Sequence, residues 1–194
     1  MRSMFVAALL AAAVATPALA QDGAPPFTGF HVDGLAGWDR LQAKNSGHDD
    51  GVLYGVGGGY DMQSGKALFG IEAEASDSTG KACVGSATAA DPRLCAKAGR
   101  DLYIGGRVGT TIGDGRTLLY AKAGYTNARE KLTQDNGAGQ VTLASQNLDG
   151  VRVGAGAEYS VGPNSFIKTE YRYSNYQDGI SRHQVVAGFG FRFR

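Results

Sequence analysis

Apolar and polar residues alternate with a period of two along most of this chain, and the helical period barely appears. That is the pattern of strands with two chemically different faces. The first run is residues 28–38, TGFHVDGLAGW. Phe30, Val32, Ala36 and Trp38 share one face, and His31, Asp33 and Gly37 share the other, with Leu35 among them. In 52–62, Val52, Tyr54, Val56, Tyr60 and Met62 alternate with Gly55, Gly57, Gly59 and Asp61. In 67–76, Phe69, Ile71, Ala73 and Ala75 alternate with Gly70, Glu72, Glu74 and Ser76. In 102–112, Leu102, Ile104, Val108 and Ile112 oppose Tyr103, Gly105, Arg107 and Gly109.

The second half repeats the pattern. From Thr117, Leu119, Ala121, Ala123 and Tyr125 stand against Tyr120, Lys122, Gly124 and Thr126. In 149–161, Val151, Val153, Ala155, Ala157 and Tyr159 oppose Arg152, Gly154, Gly156 and Glu158. In 165–176, Ile167, Thr169, Tyr171 and Tyr173 oppose Lys168, Glu170 and Arg172. The last run, VVAGFGFRFR, sets Val185, Ala187, Phe189, Phe191 and Phe193 against Val186, Gly188, Gly190, Arg192 and Arg194. Eight strands of about ten residues are predicted. Ten residues tilted by about 45° span roughly 25 Å, the height of a bilayer's apolar band, whereas strands of soluble proteins are nearer five or six residues.

Joins after the second, fourth and sixth strands are tight: QSGK at 63–66, GDGR at 113–116 and GPN at 162–164. The other joins, 39–51, 77–100, 128–148 and about 175–182, are longer and polar. Short periplasmic turns alternating with long extracellular loops are the connection plan of a transmembrane β-barrel. The fold predicted is therefore all-β, an eight-stranded antiparallel up-and-down barrel.

A barrel in lipid turns its apolar face outward. The opposite faces carry Glu72, Glu74, Arg107, Lys122, Arg152, Glu158, Lys168, Glu170, Arg172 and Arg192, interleaved with glycines. That mixture suits a narrow lumen, where long charged side chains need room and pair with one another. The lipid-facing or girdle aromatics are then Trp38, Tyr54, Tyr60, Phe69, Tyr125, Tyr159, Tyr171, Tyr173, Phe189, Phe191 and Phe193. The competing architecture is a soluble, lipocalin-like barrel with those residues inside.

Export follows from the N-terminus. MRSMFVAALLAAAVATPALA has a basic start at Arg2, an apolar run and the small-residue triplet Ala18-Leu19-Ala20, so residues 1–20 read as a signal peptide cut before Gln21; an N-terminal anchor is the alternative. Residues 21–27 form a short periplasmic leader and 28–194 the barrel domain. The remaining 174 residues carry 18 basic and 18 acidic side chains, a balance that gives no reason to expect nucleic acid as a partner. Cys83 and Cys95 flank a segment of small and turn-forming residues and read as a disulfide in an exported chain, with two free thiols the alternative.

LDGVRVGAGAEYSVGPNSFIKTEYRYSNY (148–176) resembles the penultimate hairpin of the small eight-stranded outer-membrane β-barrel proteins of proteobacteria, of the OmpA-like and opacity-type porin kinds. Val153-Gly154-Ala155-Gly156, Glu158-Tyr159, Asn164, Lys168 and Glu170-Tyr171 carry the likeness. The resemblance implies a multi-pass protein of a Gram-negative outer membrane. Its partners would be outer-membrane lipids, the barrel-assembly machinery during biogenesis and a surface ligand at the extracellular loops. Family members commonly end on an aromatic, read by that machinery, whereas this chain ends Phe193-Arg194.

Candidate chemistry is sparse. His31, His48 and His183 share no metal-ligand spacing, and neither a metal nor a cofactor is expected. Glu72, Glu74, Glu158 and Glu170 could do acid–base work, but a lumenal network explains them. Ser181 and His183 share a parity near the outer rim and could serve a lipid-modifying enzyme as nucleophile and base. SGHDDG (46–51) could attract a cation, and GVGGG (55–59) lacks the helix and Lys-Ser/Thr of a phosphate loop. Three functions are open: a structural or surface-interaction barrel without enzymatic activity, a narrow low-conductance porin, and a lipid-modifying enzyme.

Overall fold

The computed structural model describes residues 27–43, 46–88, 91–137, 139–177 and 180–193. The signal peptide, all of the leader but Phe27, the side chain of His48 and Arg194 lie outside the described residues. Among the described residues, nine strands form one antiparallel sheet: β1 (Gly29–Ala43), β2 (Ser46–Ser64), β3 (Ala67–Ser78), β4 (Lys81–Val84), β5 (Arg93–Ile112), β6 (Thr117–Asp135), β7 (Gln140–Ser160), β8 (Ser165–Tyr176) and β9 (Ile180–Phe193). Eight of them close a ring, because β3 pairs with β5 and β1 pairs with β9 from Phe30↔Phe193 to Ala43↔Ile180. The short β4 adds to β5 outside the ring. Closure leaves no unpaired edge in lipid, where a free N–H or C=O has no partner.

The ring strands run from 12 residues in β3 and β8 to 21 in β7, most of them well beyond ten. The segments expected as long loops are largely ladder: Trp38–Asp39 and Gly51–Val52 continue to Ala43↔Ser46, and Ala128↔Leu148 continues to Asp135↔Gln140. The physical reason is that alternation reports the lipid boundary, not the hydrogen bonding. Above the apolar band both faces meet water, so period two fades while the backbone goes on pairing. The tight joins at 65–66, 113–116 and 161–164 stand where the sequence puts them.

The two faces are opposite in kind. Ile71 is 68% exposed and Val56 and Ile104 are 62% exposed, while Arg152 and Arg172 have no exposed surface. A soluble core would show the reverse, so the lipocalin-like alternative fails. On each ring strand the outward face changes from apolar to polar at one level: Arg40, Asp50, Asp77, Arg100, Asn127, Asp149, Asn175 and His183. Eleven residues of β2, from Val52 to Met62, lie below it, which sets the apolar band at roughly 25 Å.

Cys83 and Cys95 are bonded, and they sit directly opposite in the β4–β5 ladder. The bond closes a hairpin outside the ring. Reduction is therefore expected to leave the heat-dependent gel shift of the folded barrel unchanged and to speed protease cleavage within 81–97. A gel shift lost on reduction would place the bond in the barrel's own stability.

Candidate functional site

The lumen is the most elaborate chemical feature of the chain. Its lower mouth is closed by Phe27, Leu68, Leu118 and Tyr120, and its upper end by Ala128, Leu148, Tyr176 and the half-buried Ile180. Between these apolar caps lie the ionic residues. All ten that the alternation assigns to the polar face are buried. They pair with Asp33, Asp61 and Asp101, which the alternation did not single out, and Arg182 in turn joins Asp101 to Asp39.

The network has three levels. At the bottom, the Asp61 carboxylate accepts a fork of hydrogen bonds from Arg107 and another from Arg192 Nη1 at 2.6 Å, and His31 Nδ1 lies 3.3 Å away. Arg192 Nη2 also donates to Glu158 at 2.6 Å, and Arg107 Nη1 to the same carboxylate at 3.3 Å. In the middle, the Lys122 ammonium lies 2.6 Å from Glu72, 3.1 Å from Glu74 and 2.8 Å from Glu170. Arg172 binds Glu170 and, at 2.8 Å, Glu74, while Lys168 lies 2.8 Å from Asp33. At the top, Arg152 donates to Asp101 at 2.5 Å and to Ser174 at 2.8 Å, and Arg182 bridges Asp101, at 3.1 Å, to Asp39. Arg107–Glu72 at 3.8 Å and Arg152–Glu74 at 3.7 Å join the levels.

Glu72, Glu74 and Glu170 offer oxygens within 4.8 Å of one another, a grouping that could hold a metal ion. Here the Lys122 ammonium takes the cation's position among all three. Each of these three carboxylates is thus paired with a cation.

The glycines make this density possible. A Cβ at Gly156 would meet the Tyr120 hydroxyl at 2.8 Å, one at Gly190 the Phe166 ring at 2.5 Å, and one at Gly188 both Leu35 and Lys168 at 3.0 Å. A large side chain lies over each of these glycines, so volume missing on one strand is filled from another. The Tyr103 ring in turn carries Lys122 at 4.6 Å and Arg152 at 5.4 Å over its face.

On the outer surface, Trp38, Tyr54, Tyr125 and Tyr171 are exposed below the polar ring and Tyr60, Phe69, Tyr159, Phe189, Phe191 and Phe193 toward the other rim. Tyr173 is half-buried, its ring tilted against that of His183 at 5.0 Å, and His183 Nδ1 takes its 2.7 Å hydrogen bond with the Tyr171 hydroxyl rather than with a carboxylate. Ser181 is half-buried on the same side of β9. A surface recess lined by Phe30, Val56, Ala73, Leu102, Ile104 and Tyr125 opens toward lipid. Asp50, from the SGHDDG segment, forks with Arg40 at 2.8 Å, and GVGGG lies within β2.

Asp39 and Arg182 fell in stretches expected as loops, and Asp101 at the margin of one. The signal that finds them is parity carried one step beyond the apolar run, from Gly37 to Asp39 and from Gln184 to Arg182.

Comparison with known proteins agrees with this architecture. The family described as "Outer membrane protein beta-barrel domain" matches residues 6–193. A 22 kDa outer membrane protein of Rhizobium leguminosarum bv. viciae is 27% identical over 181 residues, covering 85% of this chain and 77% of that one. Among solved structures, Ail, the attachment invasion locus protein of Yersinia pestis, aligns with a TM-score of 0.55 at 15% identity, over 86% of this chain and 99% of its own. Neisserial surface protein A aligns with a TM-score of 0.54 at 19% identity, over 86% and 98%.

Proposed function

Because the chain belongs to the outer membrane protein β-barrel domain family, we propose that it acts as a closed, non-enzymatic barrel whose extracellular β-extensions make its working contacts, in envelope integrity or attachment to other surfaces. It resides in the outer membrane. The observation that carries the reading is the filled lumen: three linked ionic levels between two apolar caps. A solute would have to break charge-assisted hydrogen bonds in a low-dielectric interior, where unpaired charges are costly.

In planar bilayers the purified protein is expected to give no discrete conductance steps. The same holds at elevated salt, because the buried pairs are poorly screened. Reproducible steps from the unmutated protein would favour the narrow porin instead. The lipid-modifying reading is tested by Ser181→Ala and His183→Ala, which are expected to leave lipid A and phospholipid composition unchanged.

Residues 1–20 are taken as a signal peptide, so protein recovered from the outer membrane is expected to begin at Gln21 on N-terminal sequencing. Assembly is assigned to the barrel-assembly machinery, which would read the alternating Phe189, Phe191 and Phe193.

A further inference from the structure

The outward face above the apolar band carries one charge arrangement that the barrel itself does not explain. Lys81 of β4 is paired with Lys97 of β5, and Lys97 is paired with Lys131 of β6. Residues in register across adjacent strands point to the same face, with Cβ atoms about 5 Å apart, and like charges so placed are destabilising. Arg129, two residues nearer the lipid on β6, shares this face, and Arg100 sits beside it, 3.3 Å from Asn127.

A bulge produces the row. Between Ala98 and Asp101 the β5–β6 register shifts, which inverts the parity of β5. Below the shift Leu102 and Ile104 face lipid; above it Lys97 does, on the side of Lys131. Bulges re-aim side chains in this way, and without this one Lys97 would point over the lumen.

The carboxylates nearby do not neutralise the row. Lys97 bonds the Gln140 amide at 2.9 Å and Arg129 the Ser145 hydroxyl at 2.8 Å, both neutral partners. Among the described residues, neither Lys81 nor Lys131 has a carboxylate within ion-pair distance. Asp149 on this face is held by Tyr125 at 2.5 Å and Asn127 at 2.6 Å. Arg40, on the far side of the ring, does have its own acid in Asp50.

Height and direction indicate the missing anion. Arg129 and Lys131 lie four and six residues beyond Tyr125 on β6, roughly 10 and 14 Å above the edge of the apolar band for a tilted strand. They face sideways, over the lipid-exposed Leu102 and Tyr125. That is the zone of the outer leaflet's head groups. We propose that Lys81, Lys97 and Lys131, supported by Arg129 and Arg100, form a docking surface for the phosphate-bearing head group of the outer leaflet's glycolipid. The inference rests on the extracellular extensions being the working surface, and it names their partner.

The test uses the full chain in zwitterionic detergent micelles, titrated with bisphosphorylated lipid A, with its dephosphorylated form and with a soluble sulfated heparin fragment. Native mass spectrometry reads binding. The unmutated protein is expected to bind lipid A on the order of 100-fold more tightly than the triple variant Lys81→Gln, Lys97→Gln, Lys131→Gln, from the usual contribution of a lysine at an anionic surface. The difference should shrink as salt rises, and the dephosphorylated lipid should bind no better than zwitterionic phospholipid. Lys66→Ala with Arg116→Ala, at the opposite rim, should leave lipid A binding unchanged.

Equal affinity of the triple variant and the unmutated protein would overturn the assignment, as would heparin binding as tight as lipid A binding. The heat-dependent gel shift separates causes: a triple variant that keeps it is a folded barrel whose docking surface alone is tested. If the triple variant loses it, Lys131→Gln alone is read instead, with roughly a fivefold loss expected. Conductance steps from the unmutated protein would remove the broader reading while leaving this one standing or falling on lipid A binding.

Discussion

Asp61→Ala is expected to destabilise the folded barrel by about 3–5 kcal/mol, because it leaves buried cations without their acid. Asp61 accepts from both Arg107 and Arg192 and lies beside His31, so one truncation strips partners from two guanidinium groups. Removing a cation together with the acid should cost less than the two single losses added, since the interaction being lost is shared. The measurement is urea unfolding in micelles of Asp61→Ala, Arg107→Ala and the double variant, followed through Trp38, the chain's one tryptophan. Trp38 stands on the lipid face, half exposed, and its emission reports loss of the apolar surroundings. Additive losses would mean that the lowest ionic level is not a coupled unit.

Ala155→Arg should cost roughly 2–4 kcal/mol by the same assay, for an unrelated reason. Ala155 faces outward at the middle of the β7 apolar stretch, between Val153 and Ala157. A guanidinium there must leave water for hydrocarbon. Asn175→Arg, at the polar ring on β8, should cost no more than about 1 kcal/mol. The contrast between the two depths is the informative result: equal penalties at both positions would contradict the band's placement.

These two variants probe the two faces, and the division between the faces is visible in the sequence. The alternation that sets Val151 apart from Arg152 also sets them on opposite sides of the wall. The count of eight ring strands and the order of tight and long joins follow from the same period, whereas β4, within the stretch 77–100 expected as a loop, does not. What the period could not show is where strands stop. Above Arg40 and Asp149 polar and apolar residues are mixed on both sides, with Leu148, Leu143 and Val141 in no fixed alternation, so nothing marks a face, although β6 and β7 remain paired up to Asp135↔Gln140. Asp39 and Arg182 were hidden for that reason. The register shift at Ala98–Asp101 was hidden for another: a bulge is a property of two strands together, and neither strand's pattern announces it. Pairing across the barrel, such as Arg172 with Glu74 some 98 residues earlier, depends on closure and is not legible from local spacing.

The seam where Phe30 meets Phe193 has a kinetic consequence. The first strand cannot find its second neighbour until β9 has arrived, so the cylinder cannot be finished before that strand is present. Such long-range joining is slow, because the entropy of looping the whole chain must be lost before the last zipper rewards it. A chain shortened by β9 would be left with two raw borders facing hydrocarbon, and its expected fate is retention in the periplasm and degradation.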